Sequence, residues 1–145
     1  MFAHPIHPAV VHFPLGLLLT STIVDLGYLA GLWPEVHFAA WLMASGLVAA
    51  GVAVAAGVFD FRRLTEAQIP YAVRHMGAMA VAVIGYGVAL YLRRESLTAG
   101  GEPSSASLGI AIASAAVLAV GGWLGGELVY RYGAGRVESE APPQG

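Results

Sequence analysis

Four stretches of this chain are each apolar for long enough to cross a bilayer, and nothing else in the sequence constrains the fold as strongly. The hydrocarbon layer is about 30 Å thick and a helix rises about 1.5 Å per residue, so a span needs about 20 mainly apolar residues. The stretches run from Pro8 to Trp33, from His37 to Phe59, from Tyr71 to Leu92 and from Ser107 to Tyr130. The first carries one acid, Asp25, and the second has no Asp, Glu or Arg. The third holds Arg74 and His75 in its first turn, and the fourth is uncharged until Glu127. The expectation is an all-α integral membrane four-helix bundle forming one domain over 1–137, with an acidic, polar tail at 138–145 that stays disordered.

Composition agrees. Only 11% of the 145 residues are charged and 57% are hydrophobic, whereas soluble domains are about a quarter charged. A net charge of −2 provides no basic surface for nucleic acid. The absence of cysteine excludes disulfides, thiolate zinc sites, iron–sulfur clusters and covalently attached haem. Four spans are also more than a signal peptide explains, and the N-terminus has no basic leader.

The joints have the chemistry of membrane loops. Trp33-Pro34 closes the first span, because tryptophan favours the headgroup level and proline cannot continue a helix. Asp60 to Pro70 is polar, and Thr65-Glu66-Ala67-Gln68 has the pattern of a capping box for a short surface helix. Arg93 to Ala106 holds Gly100, Gly101, Pro103 and several serines. Alternate threading puts both termini on one face, together with Arg62, Arg63, Arg74, Arg131 and Arg136, against Arg93 and Arg94 opposite. The positive-inside rule makes the arginine-rich face cytoplasmic.

The same face collects most of the unusual polar residues. His4, His7 and His12 lie at the start of the first span, Asp60 ends the second, His75 opens the third and Glu127 closes the fourth. Ionisable groups at membrane depth are costly, so they face the bundle interior and mark function. Pro14 predicts a kink that holds His12 at the mouth of the first span. His12 and His75, on different helices at similar depth, form a candidate axial pair for one haem iron, with His7 as the substitute for His12. Arg62, Arg63, Arg74 and Arg131 are then the candidate partners of haem propionates. Gly122 and Gly126 offer a flat surface to a planar ligand, or simply close helix packing. Alternatively His12, His75, Asp60 and Glu127 bind zinc, copper or manganese without porphyrin. The plainer reading is that these histidines sit half wet at the lipid interface or tie helices together. Asp25, deep in the first span, calls for neutralisation, a hydrated cavity or a hydrogen bond to a neighbouring helix, the last taking precedence over proton relay.

These motifs together resemble the bacterial membrane proteins grouped as domain-of-unknown-function family 2231. The likeness is carried by His7-Pro8 and Val11-His12-Phe13-Pro14, by Gly57-Val58-Phe59-Asp60, by His75, and by Gly121-Gly122-Trp123-Leu124-Gly125-Gly126-Glu127-Leu128-Val129-Tyr130 with Gly133 and Gly135. It extends from His7 to about Val137. The resemblance implies a four-helix membrane domain, joined in some larger chains to Rieske or cytochrome c modules, and hence a multi-pass protein of the bacterial inner membrane. It implies no assigned activity.

Three functions follow from these residues. The first is a b-type haem protein passing electrons within the membrane, with a quinone or a redox protein as partner. The second is a module that binds a metal ion or protons for transport. The third is an accessory or assembly subunit whose small-residue faces, such as Ala49-Ala53-Gly57, dock a partner or a second copy. A conventional enzyme is less in keeping, since no phosphate loop, Gly-x-Ser-x-Gly elbow or His-Glu-x-x-His is present.

Overall fold

The structure, a computed structural model, describes residues 7–34, 37–98 and 101–135. His4, Glu35, Arg136 and the tail at 138–145 lie outside them. The described chain is all helical: α1 (His7–Val10), α2 (His12–Leu29), α3 (His37–Phe61), α4 (Ile69–Leu92), a 3-10 turn (Arg94–Leu97) and α5 (Ser105–Tyr130). Four of these helices, α2 to α5, are long and apolar enough to cross a membrane. The boundaries depart from the sequence expectation at the start of the first span, which is broken at Val11, and at its end, which comes at Leu29 rather than Trp33.

Both departures have local causes. The ring of a helical proline clashes with the carbonyl four residues earlier. For Pro14 that residue is Val10, where α1 stops, so the interruption falls upstream of the proline while α2 runs straight through it. At the other end Gly31 takes φ 69°, a left-handed conformation that glycine adopts without steric cost. Leu32 N–H then donates to Gly27 C=O at 2.9 Å and Gly31 N–H to Tyr28 C=O at 2.9 Å, the pairing of a Schellman stop. Trp33 folds back so that its ring covers the bare face of Gly27, where a Cβ would lie 1.9 Å from the indole.

The loops are also tied. Gln68 Oε1 accepts from Thr65 N–H at 3.0 Å, half of the expected capping box, but the segment forms turns and not a helix. Ser104 caps α5 by accepting from Ser107 N–H at 3.2 Å.

Two antiparallel hairpins make the bundle. In the first, α1 and α2 pack on α3; in the second, α4 packs on α5; the ring closes through α3 against α4 and α2 against α5. Small residues turn inward, including Ala39, Ala50, Ala53, Ala82 and Ala111, around a few large ones, Leu18, Met43, Tyr86 and Leu118. Large apolar residues such as Trp41, Val48, Val81, Ile84 and Trp123 point outward. This inversion suits a lipid solvent, where tails are as apolar as leucine and helices associate by close backbone packing.

Candidate functional site

The site is built at the end of the bundle where the chain enters. Asp60, at the end of α3, receives His7 N–H on Oδ2 at 3.1 Å and so holds the first residue of α1 against α3. The His7 ring then lies on α3, with Nδ1 2.8 Å from the carbonyl oxygen of Ala53. A carbonyl only accepts, so Nδ1 carries the proton and Nε2 is the ring nitrogen left to face a ligand. The same arrangement occurs on the other hairpin. His75, in the second turn of α4, puts Nδ1 2.8 Å from the carbonyl oxygen of Gly121 on α5. Each imidazole thus belongs to one hairpin and is oriented by a main-chain acceptor of that hairpin.

Glycines make room for both rings. A Cβ on Gly57 would lie 3.1 Å from His7 Nδ1, and one on Gly125 would lie 3.0 Å from His75 Cε1. The two rings meet across the bundle with centroids 6.2 Å apart and planes 77° to each other. They line a cavity of about 440 Å³, within the range of about 300–1,000 Å³ common for small-molecule and cofactor sites. Its walls are apolar, from Pro14, Leu18, Ala50, Met79, Val83 and Leu118. Val54 and Val58 of α3 and Met76 and Ala80 of α4 line it while also facing outward, so it opens toward lipid along the α3–α4 seam. Asp60 and Arg63 stand at its polar end, and Asp60 Oδ1 is buried with no hydrogen-bond partner among the described residues.

The candidate residues from the sequence separate into two groups. His7, His75, Asp60 and Arg63 all line the cavity. His12 does not; it is exposed at the start of α2, and the histidine facing His75 is His7. The two histidines are five positions apart on backbone that stays helical through Val11 (φ −61°, ψ −21°), so their side chains leave the helix about 140° apart and only one of them can face the bundle. Arg62 is exposed on the turn after α3, and Arg74 lies over the Tyr71 ring at 5.6 Å. Arg131 pairs with Glu127 at 3.3 Å, and neither residue lines the cavity. Gly122 and Gly126 fall outside the lining; a Cβ on Gly122 would come within 3.9 Å of Leu15 on α2. Among the described residues no group of three or more His, Cys, Asp or Glu side chains is arranged to hold a metal ion. The small-residue stripes through Ala53-Gly57 and Gly121-Gly125 are occupied inside the bundle by the histidines and by Met79.

A second polar cluster lies at the opposite end. Arg93 Nη1 donates to Asp25 Oδ1 at 2.6 Å with both side chains fully buried. Arg93 Nε donates to Ser107 Oγ at 2.7 Å, and Ser107 Oγ donates to the Ala89 carbonyl at 2.8 Å. One turn inward, the Thr22 and Tyr86 hydroxyls share a hydrogen bond at 2.7 Å. The sequence expectation puts Arg93 in the joint from Arg93 to Ala106, whereas the structure buries it against Asp25. The signal that points to it is a lone acid in one span together with an arginine directly after another.

No curated protein and no solved structure matches this chain. A family model does, over residues 3–138, and its description is a predicted membrane protein. With nearly the whole chain inside that match and four helices able to span a bilayer, the protein belongs to the predicted membrane protein family DUF2231.

Proposed function

We propose that this protein is a b-type haem carrier that moves electrons at one face of the membrane, with His7 and His75 as the residues that would hold the iron. The observation that carries this reading is the pair of imidazoles from different hairpins, each fixed through Nδ1 and 6.2 Å apart at their centroids. His7 and His75 would hold the iron between them, one from each hairpin. Bonding through Nδ1 to a second group is also how metal-bound histidines are held in tautomer and orientation.

The remaining residues fit the same group. The cavity walls are apolar and small residues admit the rings. Arg63 reaches the lining, although it is exposed with its guanidinium over the Phe59 ring at 5.4 Å, and would neutralise a propionate; Arg62, Arg74 and Arg131 do not line the cavity. Haem, when bound, supplies a one-electron ferric–ferrous couple. The protein's part is to hold two neutral imidazoles in line, keep the site dry, and open it toward lipid, where a membrane quinone or a redox protein would meet it. With Arg93 buried in its ion pair, only Arg94 remains as an exposed arginine at the far end among the described residues, which supports a cytoplasmic position for the histidine end.

The test is an optical spectrum of detergent-purified protein from haem-replete cells, oxidised and then reduced with dithionite. The expected result is a Soret band with sharp reduced-state bands, lost in His7→Ala and in His75→Ala and kept in His12→Ala. A colourless protein, or one carrying stoichiometric zinc, copper or manganese without porphyrin, overturns the haem reading; an ion without porphyrin would favour the metal-binding alternative.

A further inference from the structure

We infer that the chain is one helical hairpin duplicated, with its two copies related by a twofold axis along the bundle, and that the ligand of the histidine site is a single centre lying on that axis. The second clause rests on the haem reading above; the first does not.

A constant offset in sequence carries the inference. Asp25 and Arg93, which pair directly, are 68 residues apart. The same number separates His7 from His75, Ala53 from Gly121 and Gly57 from Gly125. Each histidine reaches a carbonyl 46 residues further along, at the same 2.8 Å. The offset also governs the core. The buried residues of α3 are Ala39, Ala40, Met43, Gly46, Ala50 and Ala53. Those of α5 are Ser107, Leu108, Ala111, Ser114, Leu118 and Gly121, each the counterpart of one in α3. Between α2 and α4 the buried Pro14, Leu18, Ser21 and Asp25 correspond to the buried Ala82, Tyr86, Ala89 and Arg93.

Two antiparallel hairpins that both start on the same face, packed α2–α3 and α4–α5 and closed by α3–α4 and α2–α5, have the connectivity of a twofold with its axis along the membrane normal. On such an axis a residue meets its own counterpart. His7 meets His75 at one end and Asp25 meets Arg93 at the other, so two cross-bundle contacts are self-pairings of equivalent positions. The two Nε2 atoms at the site are then related by the twofold, whereas the polar end is not, Asp60 having Leu128 as its counterpart. The two nitrogens suit one metal centre between them, and they do not suit an extended ligand with unlike ends.

The chain has no cysteine, so nitroxide labels can be placed cleanly on outward-facing positions. Phe13, Val52, Val81 and Val120 are all exposed. Under the twofold, Val52 to Val81 is the same distance as Val120 to Phe13. Double electron–electron resonance on Val52→Cys/Val81→Cys and on Phe13→Cys/Val120→Cys should give coincident distance distributions, and resolved, different maxima overturn the duplication. Iron and haem analysis of the unlabelled protein should give one haem per chain; two per chain, or one shared by two chains, overturns the single axial centre. Coincident distances in a protein that binds no haem would leave the duplication standing and remove both the haem reading and the ligand clause.

Discussion

Asp25 and Arg93 form an ion pair at 2.6 Å with no exposure of either side chain, at the end of the bundle opposite the histidines. It joins α2 of one hairpin to the end of α4 in the other. Only one oxygen and one Nη of the pair are satisfied by each other; Asp25 Oδ2 and Arg93 Nη2 have no partner among the described residues.

Removing one member leaves the other charged and buried. Asp25→Ala or Arg93→Ala should each destabilise the fold by about 3–5 kcal/mol, because an uncompensated buried charge is worse than no charge. The apolar double variant Asp25→Leu/Arg93→Met should be markedly more stable than either single change. Thermal unfolding followed by tryptophan fluorescence in detergent checks this.

The pair should also tolerate exchange if its surroundings are exchanged with it. Ser107 is the partner of Arg93, and its counterpart across the twofold is the buried Ala39. Asp25→Arg with Arg93→Asp should regain more stability when combined with Ala39→Ser and Ser107→Ala than it does alone. The comparison is between unfolding midpoints of the two-residue and four-residue variants.

Thr22 and Tyr86 share one buried hydrogen bond at 2.7 Å. Thr22→Val leaves the Tyr86 hydroxyl without that partner, and the cost should be about 1–3 kcal/mol. Tyr86→Phe in the same background should then cost little more, and a double-mutant cycle on unfolding free energies measures the coupling.

Gly57→Ala and Gly125→Ala each put a methyl within 3.1 Å of a histidine ring atom. The crowding should displace the ring from its carbonyl and cost about 1–3 kcal/mol, as overpacking does. The two substitutions should weaken ligand binding to a similar extent, since they act on equivalent imidazoles. Titration of the purified variants with haemin reads the effect.

At Gly31, φ of 69° makes any side chain unfavourable. Gly31→Ala should lower stability by about 1–2 kcal/mol through left-handed strain alone, while Gly77→Ala, in mid-helix with open space around it, should be neutral or stabilising. The pair of melting curves separates strain from packing.

Local windows of sequence were enough to define the membrane bundle. Hydrophobicity summed over about 20 residues decides whether a helix spans, and the polar joints at Asp60–Pro70 and Arg93–Ala106 separate the spans without reference to the fold. The partners of the polar residues were not legible in that way. Whether His7 or His12 turns toward His75 depends on which face of the entering helix packs against α3, and two residues five apart on helical backbone cannot share a face. Whether Arg93 ends a loop or neutralises Asp25 depends on a helix 68 residues away. The repeat is faint in the letters themselves, with His7/His75, Val52/Val120, Gly57/Gly125 and Arg63/Arg131 among the few identities at that spacing. Lipid accepts many apolar residues on an outward face, so sequence there can diverge freely. Only the assembled bundle keeps the inward positions in register.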